Sequence, residues 1–391
     1  MNKNDYFAFN SWWEGRSLET GILRGAYISG LEKRLPRKQI ELITGGRRVG
    51  KTTILKQIVA GLLKNGVEPE EIFYVSCDYA RAIGVSVSDH LTVFRQIFSH
   101  GRGEKLYHFF DEVQNSPNWQ AELKSLYDSE NLKIFCSGST SALISSHGGK
   151  LTGRQINTVV YPLDFREFLE FRRVKVKKSE SYLLEAEAEK YLNIGGYPEQ
   201  VLTPSDEYLS SLLEDIFARD LGRIYPIRNP GIVRDLYKLL AASVGSRTSF
   251  NKLAKVLEIS VDTVKDYINY FEASFLVGKL EAWSSSFSKR AYAPKKTYLL
   301  DNGLKTLMTG DGDLGAKAET AVFWKLKKEN QKLGYLFENN KEVDFVTERQ
   351  KIEVKYTSDR QKLPKDKDLL VVTKNLEGKN LIPLWEFLLE K

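Results

Sequence analysis

The chain of 391 residues is poor in the side chains that build disulfide frameworks and soft-metal centres. It has two cysteines and four histidines, and the histidines are scattered along the chain. We therefore expect no cluster of histidine metal ligands. Cys77 and Cys136 both fall in segments that read as buried strands. This placement favours core thiols in a reducing compartment over a disulfide or a metal site.

Long apolar runs are absent as well. Every run is far shorter than the roughly 20 residues that cross a bilayer, so we expect no membrane span and no membrane partner. Residues 1–5, Met-Asn-Lys-Asn-Asp, contain no apolar signal core. Together with the thiols, these features predict a cytoplasmic protein.

What remains is an ordinary globular composition with a basic charge balance. Hydrophobic residues make up 42% and charged residues 28%, and the chain is long enough for two or three domains. The net charge of +7 permits a polyanionic partner without requiring one. Basic runs occur at 172–178 and around 289–296, and such runs are more often a solvated surface than a nucleic-acid track.

Strands and helices alternate between residues 31 and 162. The pattern predicts strands at 40–45, 72–77, 106–110, 133–137 and 155–161. Alternation of this kind is typical of an α/β fold with a parallel sheet between helices, in which ligands bind beyond the carboxyl ends of the strands. The rest of the chain predicts four further parts: an N-terminal lead-in at 1–30, a helical lid at 163–240, a winged helix at 241–300 and a last α/β unit at 301–391.

A glycine-rich loop follows the first strand and begins a helix. Residues 45–52 fit the spacing GxxxxGK[ST] at every position. Glycines let backbone N–H groups close round a phosphate, and the helix N-terminus favours the same anion. Lys51 would reach the β- and γ-phosphates of ATP, and the Thr52 hydroxyl would ligate Mg²⁺. The predicted nucleotide-binding residues of the loop are Gly45, Gly46, Arg47, Arg48, Val49, Gly50, Lys51, Thr52 and Thr53.

Two carboxylates end the third predicted strand. Asp111 would hold the Mg²⁺ shell, and Glu112 would polarise the attacking water in ATP hydrolysis. Without the upstream loop, the same pair would predict only a solvated acidic turn.

Small hydroxyl residues end the fourth strand, and an arginine follows. Ser137 or Ser139 could contact the γ-phosphate, or these hydroxyls could cap the next helix. Arg154 could reach the γ-phosphate of a neighbouring subunit, although an arginine in a loop is more often structural. In the predicted lid, Arg219, Arg223 and Arg228 are candidate phosphate or base contacts that the sequence does not separate.

Residues 248–277 predict two helices with a tight turn at 258–260, the second helix capped by Ser260. Flanking strands near 276–280 and 298–300 would complete a winged helix. The second helix would expose Asp262, Lys265, Asp266 and Asn269, and two carboxylates facing DNA phosphates are unfavourable. We therefore expect this unit to serve structure or protein contacts more than sequence reading.

The last unit carries a candidate metal site. Asp344 lies in one predicted strand, and Glu353 and Lys355 project from one face of the next. The two carboxylates would hold a divalent metal, Lys355 would orient or activate a water for attack on a phosphodiester, and Glu319 could complete the shell from a helix at 316–328. A Glu-x-Lys strand alone is commonplace on protein surfaces.

These motifs, in this order, resemble a group of prokaryotic AAA+ ATPases that join a P-loop core to a winged helix and to a C-terminal domain similar to PD-(D/E)XK nucleases. The resemblance covers about residues 31 to 391. It rests on the stretches 45–53, 111–114, 138–141, 153–154, 162–168, 195–199, 298–304, 342–346 and 352–355.

The resemblance implies an oligomer, because AAA+ sites lie between subunits, and it makes Arg154 a candidate arginine finger. Two functions follow as hypotheses. The first is a Mg²⁺-dependent ATPase coupled to a DNA-directed, nuclease-like module. The second is an ATP-dependent binding switch whose C-terminal fold is a non-catalytic docking module.

Overall fold

The computed structural model describes residues 1–139, 151–177, 180–222, 224–329, 332–364 and 366–390. The chain divides into two compact units, Met1–Val160 and Tyr161–Lys391.

The first unit is built on a five-stranded parallel sheet with strand order β2-β3-β4-β1-β5. The strands are β1 Ile40–Gly45, β2 Ile72–Ser76, β3 Leu106–Asp111, β4 Leu132–Gly138 and β5 Gln155–Val160. The described helices are α1 Lys3–Phe9, α2 Gly25–Glu32, α3 Lys51–Lys64, α4 Val87–Phe98 and α5 Trp119–Ser129. The predicted parallel α/β sheet is confirmed.

The buried sheet follows from near-continuous apolar strands. Every residue of β1, β3 and β4 is buried, as expected for strands covered on both faces. Because all five strands are parallel, the carboxyl ends of β1, β3 and β4 meet at one edge. Gly45, at the end of β1, and Asp111, at the end of β3, therefore lie at the same edge of the sheet, with β4 between their two strands. Cys136 lies within β4, whereas Cys77 follows the end of β2 instead of lying inside the strand; both thiols are free and buried.

The N-terminal residues contribute to this core. Tyr6 is buried in the main hydrophobic cluster, and its hydroxyl lies 2.8 Å from Nδ1 of His90. Trp12 and Trp13 both donate their indole N–H to the carbonyl of Ile72, at 3.3 and 2.9 Å. The adjacent tryptophans therefore hold the start of the chain against β2.

The second unit begins with helices. They are α6 Phe165–Phe171, α7 Tyr182–Ile194, α8 Pro198–Leu202, α9 Asp206–Asp215, a π-helical turn Ile216–Leu221 and α10 Pro230–Ala242. Two of the stretches on which the family resemblance rests, 195–199 and 298–304, meet here. Gly196 N–H and Gly303 N–H donate to the buried carboxylate of Asp301, at 2.6 and 2.8 Å. A Cβ at Gly195 would stand 2.0 Å from the same carboxylate. The two stretches therefore pack closely against each other around the Asp301 carboxylate.

Three helices and a small antiparallel sheet come next. The elements are β6 Arg247–Thr248, α11 Phe250–Leu257, α12 Val261–Ala273, β7 Val277–Leu280, α13 Phe287–Tyr292 and β8 Lys295–Leu299, with sheet order β6-β8-β7. The predicted turn between α11 and α12 is confirmed. Glu258 has a left-handed backbone, and the Ser260 side chain accepts the N–H of Thr263 at 3.0 Å.

The chain ends in a mixed five-stranded sheet, order β13-β12-β11-β10-β9, in which the pairs β9–β10 and β10–β11 are antiparallel. Its elements are α14 Asn302–Thr309, α15 Leu314–Lys328, β9 Gly334–Glu338, β10 Lys341–Val346, β11 Lys351–Lys355, β12 Leu369–Thr373, β13 Leu381–Pro383 and α16 Leu384–Leu389. The predicted helix at 316–328 is therefore present and begins two residues earlier, and Asp344 and Glu353 lie in consecutive strands as predicted.

Candidate functional site

The glycine-rich loop connects β1 to α3 as the spacing predicts. Arg48 and Gly50 have positive φ values of 58° and 99°, which turn the loop sharply before the helix. Gly45 has φ 151°, and a Cβ there would stand 2.2 Å from the carbonyl oxygen of Val160 on β5. The first glycine is therefore required by strand packing as well as by the loop.

Lys51 is buried and lies under the loop. Its ammonium donates to the carbonyls of Gly45 and Gly46 at 3.2 and 2.9 Å, and it lies 3.8 Å from the carboxylate of Glu112. The cation therefore stands between the loop and the end of β3, as the motif predicts for a lysine that contacts phosphates.

Thr52 and Asp111 meet although they are far apart in sequence. The Thr52 hydroxyl donates to Oδ2 of Asp111 at 2.6 Å. Burial first, and then the nearby charge of Glu112, raise the pKa of Asp111, while hydrogen bonds from Ser137, Thr52 and Tyr74 oppose that rise. A hydroxyl beside a carboxylate is the hard oxygen donor set that suits Mg²⁺.

Ser137 connects the two acids. Its hydroxyl donates to Asp111 and accepts the N–H of Glu112 at 2.9 Å. Glu112 has a left-handed backbone, φ 51°, and one of its carboxylate oxygens accepts the N–H of Ser139 at 3.1 Å. Of the two candidate serines, Ser137 thus uses its hydroxyl to position both acids, and Ser139 contributes its backbone N–H. The alternative that these hydroxyls cap the next helix concerns residues 140–150, outside the described residues.

Two of the candidate arginines, Arg154 and Arg219, have local carboxylate partners. Arg154 makes a two-pronged ion pair with Asp128 at 2.8 and 3.1 Å. In the second unit, Arg219 pairs with Asp215 at 3.3 Å and Arg228 is exposed. Arg223 lies outside the described residues. A role for any of them on a nucleotide stays a prediction.

Two residues near the loop were missed at the sequence level. Arg24 is 1% exposed and donates to the carbonyl of Val49 at 2.9 Å. Tyr74 on β2 donates its hydroxyl to Asp111 at 2.9 Å. Tyr74 could have been found from the strand order, because β2 and β3 pair with Ser76 opposite Asp111 and Tyr74 lies two residues earlier on the same face. Nothing local marks Arg24.

The four predicted residues of the last unit lie close together. The backbone N–H of Asp344 donates to Glu353 at 3.3 Å, and the ammonium of Lys355 lies 2.8 Å from the other oxygen of Glu353. Glu319 on α15 and Asp344 on β10 both contact Lys296. The sequence therefore predicted the members of this cluster but missed the cation at its centre.

Lys296, on β8, is 1% exposed at its side chain. Its ammonium lies 2.7 Å from Glu342, 3.0 Å from Asp344 and 3.1 Å from Glu319. The three N–H groups of this ammonium are thus matched by three carboxylates. Burial disfavours the charged lysine, but Glu319, Asp344 and Glu342 outweigh it and raise its pKa.

The carboxylates nevertheless outnumber the cations. Burial, followed by the charge of Asp344, raises the pKa of Glu319 to about 7 and also raises that of Glu353. For Lys355, burial opposes the charged form, but the hydrogen bond and charge of Glu353, together with the charges of Asp344 and Glu319, raise the pKa. Within the described part of the chain, no group of three or more histidine, cysteine, aspartate or glutamate residues is placed to hold a metal ion. Metal binding by Glu319, Asp344 and Glu353 stays a prediction.

No helix of the described residues is both long and apolar enough to cross a bilayer.

Two stretches of the chain match known protein families. Residues 37–169 match the family described as "AAA domain", and residues 185–315 match a domain of unknown function, DUF8612. The first match contains the glycine-rich loop, Asp111, Glu112 and Arg154.

Relatives extend over most of the chain. An uncharacterized protein of Methanocaldococcus jannaschii, MJ1544, is 31% identical over 334 residues, which are 81% of this chain and 74% of the relative. An uncharacterized protein of Haemophilus influenzae is 26% identical over 339 residues, 84% of each chain.

Solved structures give weaker similarity. The Walker-type ATPase PABY2304 of Pyrococcus abyssi has a TM-score of 0.47 at 16% identity and covers 73% of this chain and 95% of its own. AMPPCP-bound DnaA of Aquifex aeolicus has a TM-score of 0.28 at 19% identity and covers 66% and 91%. Likeness at this level carries no inference about function.

Proposed function

This chain belongs to the AAA-domain family of P-loop ATPases, and on that premise we propose that it is a Mg²⁺-dependent ATPase. The observation that carries the proposal is the 2.6 Å hydrogen bond between Thr52 and Asp111. It brings the hydroxyl of the glycine-rich loop to the acid at the end of β3, where Mg²⁺ and the triphosphate would need both. Lys51, 3.8 Å from Glu112, completes the group.

Each of these residues has one role in the proposal. The loop N–H groups and Lys51 bind the phosphates, and Thr52 and Asp111 hold Mg²⁺, which would neutralise the charge that develops on the phosphate oxygens. Glu112 orients and polarises the attacking water. Ser137, bound to both acids, keeps them in position.

The test is release of phosphate from ATP with and without Mg²⁺. We expect Lys51→Ala to abolish turnover, because it removes the buried cation that contacts the phosphates. Lys64→Ala, in the exposed last turn of the same helix, is the matched control and should leave turnover unchanged. Equal turnover in wild type and Lys51→Ala would overturn the proposal.

We further propose that the ATPase core is coupled to a DNA-directed C-terminal region. A nuclease-like reaction there needs a divalent cation beside Asp344 and Glu353, with Lys355 acting on the attacking water. The position of Lys296 favours the second hypothesis, a non-catalytic module, because its ammonium already uses the carboxylate oxygens of Glu319, Glu342 and Asp344.

DNA cleavage separates these two hypotheses. We expect no cleavage of single- or double-stranded DNA by the wild type with Mg²⁺ or Mn²⁺. Cleavage that disappears in Asp344→Ala would instead establish a nuclease. A homo-oligomer with Arg154 acting on the neighbouring nucleotide is also part of the proposal, and the family resemblance is its support.

A further inference from the structure

The segment between β7 and β8 leaves two large aromatic side chains in solvent. Phe287 is 77% exposed and Tyr292 is 90% exposed, at the two ends of the short helix α13. Lys289 lies between them and is exposed, and the guanidinium of Arg290 lies 6.0 Å from the ring centre of Phe287. Aromatic faces interleaved with cations are unsuited to an apolar protein core but match a strand of bases and phosphates.

A groove of about 690 Å³ opens beside this segment. Its charged and aromatic lining residues include Lys279, Trp283, Arg290, Lys327 and Lys332, and we call it the basic groove. The ammonium of Lys332 lies 5.5 Å from the ring centre of Trp283, so the groove repeats the pairing of a cation with an aromatic face.

The charge of the basic groove is positive. Among its described lining residues, four are cationic and two, Glu272 and Glu281, are acidic. Lys279 pairs with Glu272 at 2.7 Å, whereas Lys332 lies 3.9 Å from Glu348 with both side chains about 70% exposed, a weak contact in water. Lys327 is exposed. Lys327 and Lys332 can therefore contact the phosphates of a bound strand without first losing a strong ion pair.

The neighbouring helix α12 argues against duplex DNA as the ligand. Its exposed positions are those that the sequence predicted, and they include Asp262 and Asp266, which would face phosphates if the helix entered a major groove. Stacking on Phe287, Tyr292 and Trp283 requires bases whose faces are open. Such bases occur in single strands, where stacking contributes roughly 1–3 kcal/mol per base.

We propose that the basic groove, together with Phe287 and Tyr292, binds single-stranded nucleic acid. The phosphates lie along Lys327, Lys332 and Arg290, and the bases stack on the exposed rings. This inference rests on the proposed DNA-directed role and adds to it the strand type and the surface.

Fluorescence anisotropy with a labelled oligothymidylate, without nucleotide, tests the proposal. We expect the double variant Phe287→Ala/Tyr292→Ala to bind at least about tenfold more weakly, since two stacking platforms are lost. The matched control Tyr182→Ala removes a tyrosine that is 68% exposed on α7 and should bind like wild type. All three side chains are largely solvent-exposed, so circular dichroism should show unchanged folding.

Salt dependence tests the phosphate contacts separately. Lys327→Glu/Lys332→Glu should reduce the slope of log affinity against log salt by about 1.4, the value for two phosphate contacts on a single strand. Lys175→Glu, at an exposed position of the basic run that begins at residue 172, should leave the slope unchanged. An oligouridylate arm tells whether DNA or RNA is preferred.

The outcomes distinguish this inference from the ATPase proposal. Lys51→Ala should bind the oligonucleotide like wild type, so loss of turnover does not affect the result. Equal affinity for a duplex and a single strand, unchanged in Phe287→Ala/Tyr292→Ala, would overturn the inference. Absence of binding to any of the three nucleic acids at low salt would overturn it as well.

Discussion

The ammonium of Lys296 lies 3.0 Å from Oδ1 of Asp344, one of the carboxylates that the proposed metal site would use. The same lysine contacts Glu319 and Glu342. A buried cation that already neutralises the carboxylates competes directly with any divalent ion for the same oxygen atoms. The sequence order of acids and lysine in the last unit is therefore insufficient to predict metal-dependent chemistry.

We expect Lys296→Met to allow this cluster of carboxylates to bind a divalent metal ion. Removing the ammonium leaves the carboxylates of Glu319 and Asp344 without their cation, which costs about 3–5 kcal/mol in the free energy of unfolding. We expect Mn²⁺ to raise the melting temperature of Lys296→Met and to leave that of the wild type unchanged in differential scanning fluorimetry.

Two controls accompany that measurement. Lys295→Met removes the neighbouring lysine, whose partner Glu281 is more than half exposed, and should have a small effect. Lys296→Met/Asp344→Asn should lose the response to Mn²⁺. If calorimetry shows that the wild type binds Mn²⁺ and that Asp344→Asn abolishes this binding, Lys296 does not prevent metal binding by the carboxylates.

Glu112→Gln should separate nucleotide binding from hydrolysis. The amide keeps the shape of the side chain but cannot polarise water as a base, so we expect kcat to fall about 10²-fold or more while ATP affinity stays near the wild-type value. Stopped-flow binding of a fluorescent ATP analogue and steady-state phosphate release measure the two quantities. Glu68→Gln, at an exposed position, is the control. A parallel loss of affinity and kcat would assign Glu112 to binding instead.

Gly45→Ala should destabilise the first unit strongly. The added Cβ would stand 2.2 Å from the carbonyl oxygen of Val160, a backbone atom that cannot move without breaking the β1–β5 pairing. Gly66→Ala is the matched control: Gly66 also has a positive φ, 82°, but nothing lies within 4 Å of the added atom, so its cost should be about 1 kcal/mol. Urea unfolding of both variants gives the comparison. Equal losses of stability would mean that backbone conformation, not the clash, controls both positions.

The free energy of unfolding should fall as the solution is acidified. His108 is fully buried, and burial first, then Arg95 and His100, lower its pKa to about 3. The unfolded chain takes up a proton below about pH 6.5 while the folded chain does not, so stability is complete above that pH and is lost as the pH falls towards 3. At pH 5 the loss from this residue is about 2 kcal/mol.

His108→Phe tests this cause directly. In the described structure, neither ring nitrogen of His108 has a hydrogen-bond partner, and the ring packs among Phe73, Phe94 and Phe110. We expect the variant to lose about 2 kcal/mol less than the wild type between pH 7.5 and pH 5 in urea titrations. An unchanged pH dependence would place the acid sensitivity elsewhere.

Mixing two inactive variants tests Arg154 as a group that acts between subunits. Arg154→Ala should bind ATP normally but turn it over about 10³-fold more slowly, because transition-state charge is no longer neutralised. Lys51→Ala lacks the nucleotide site but keeps Arg154. Turnover that returns on mixing the two proteins supports action on a neighbour; no recovery would leave the ion pair with Asp128 as the role of Arg154.

Local patterns in the sequence determined much of this protein. The bounds of β1, the loop at 45–52, the turn at Glu258 and the paired residues Glu353 and Lys355 all follow from spacings of a few residues, because backbone conformation and strand alternation are set by near neighbours. The parallel sheet followed from alternation of strands and helices, and Asp111 could be placed near the loop because parallel strands end at one edge.

The tertiary structure alone decided which side chains distant in sequence meet. Tyr74 reaches Asp111 across 37 residues, and Lys296 reaches Asp344 across 48. Neither distance carries a periodic signal. Strand order and side-chain direction select these partners. Burial then makes each contact important for stability, because a charged group removed from water is costly unless it is paired or hydrogen-bonded.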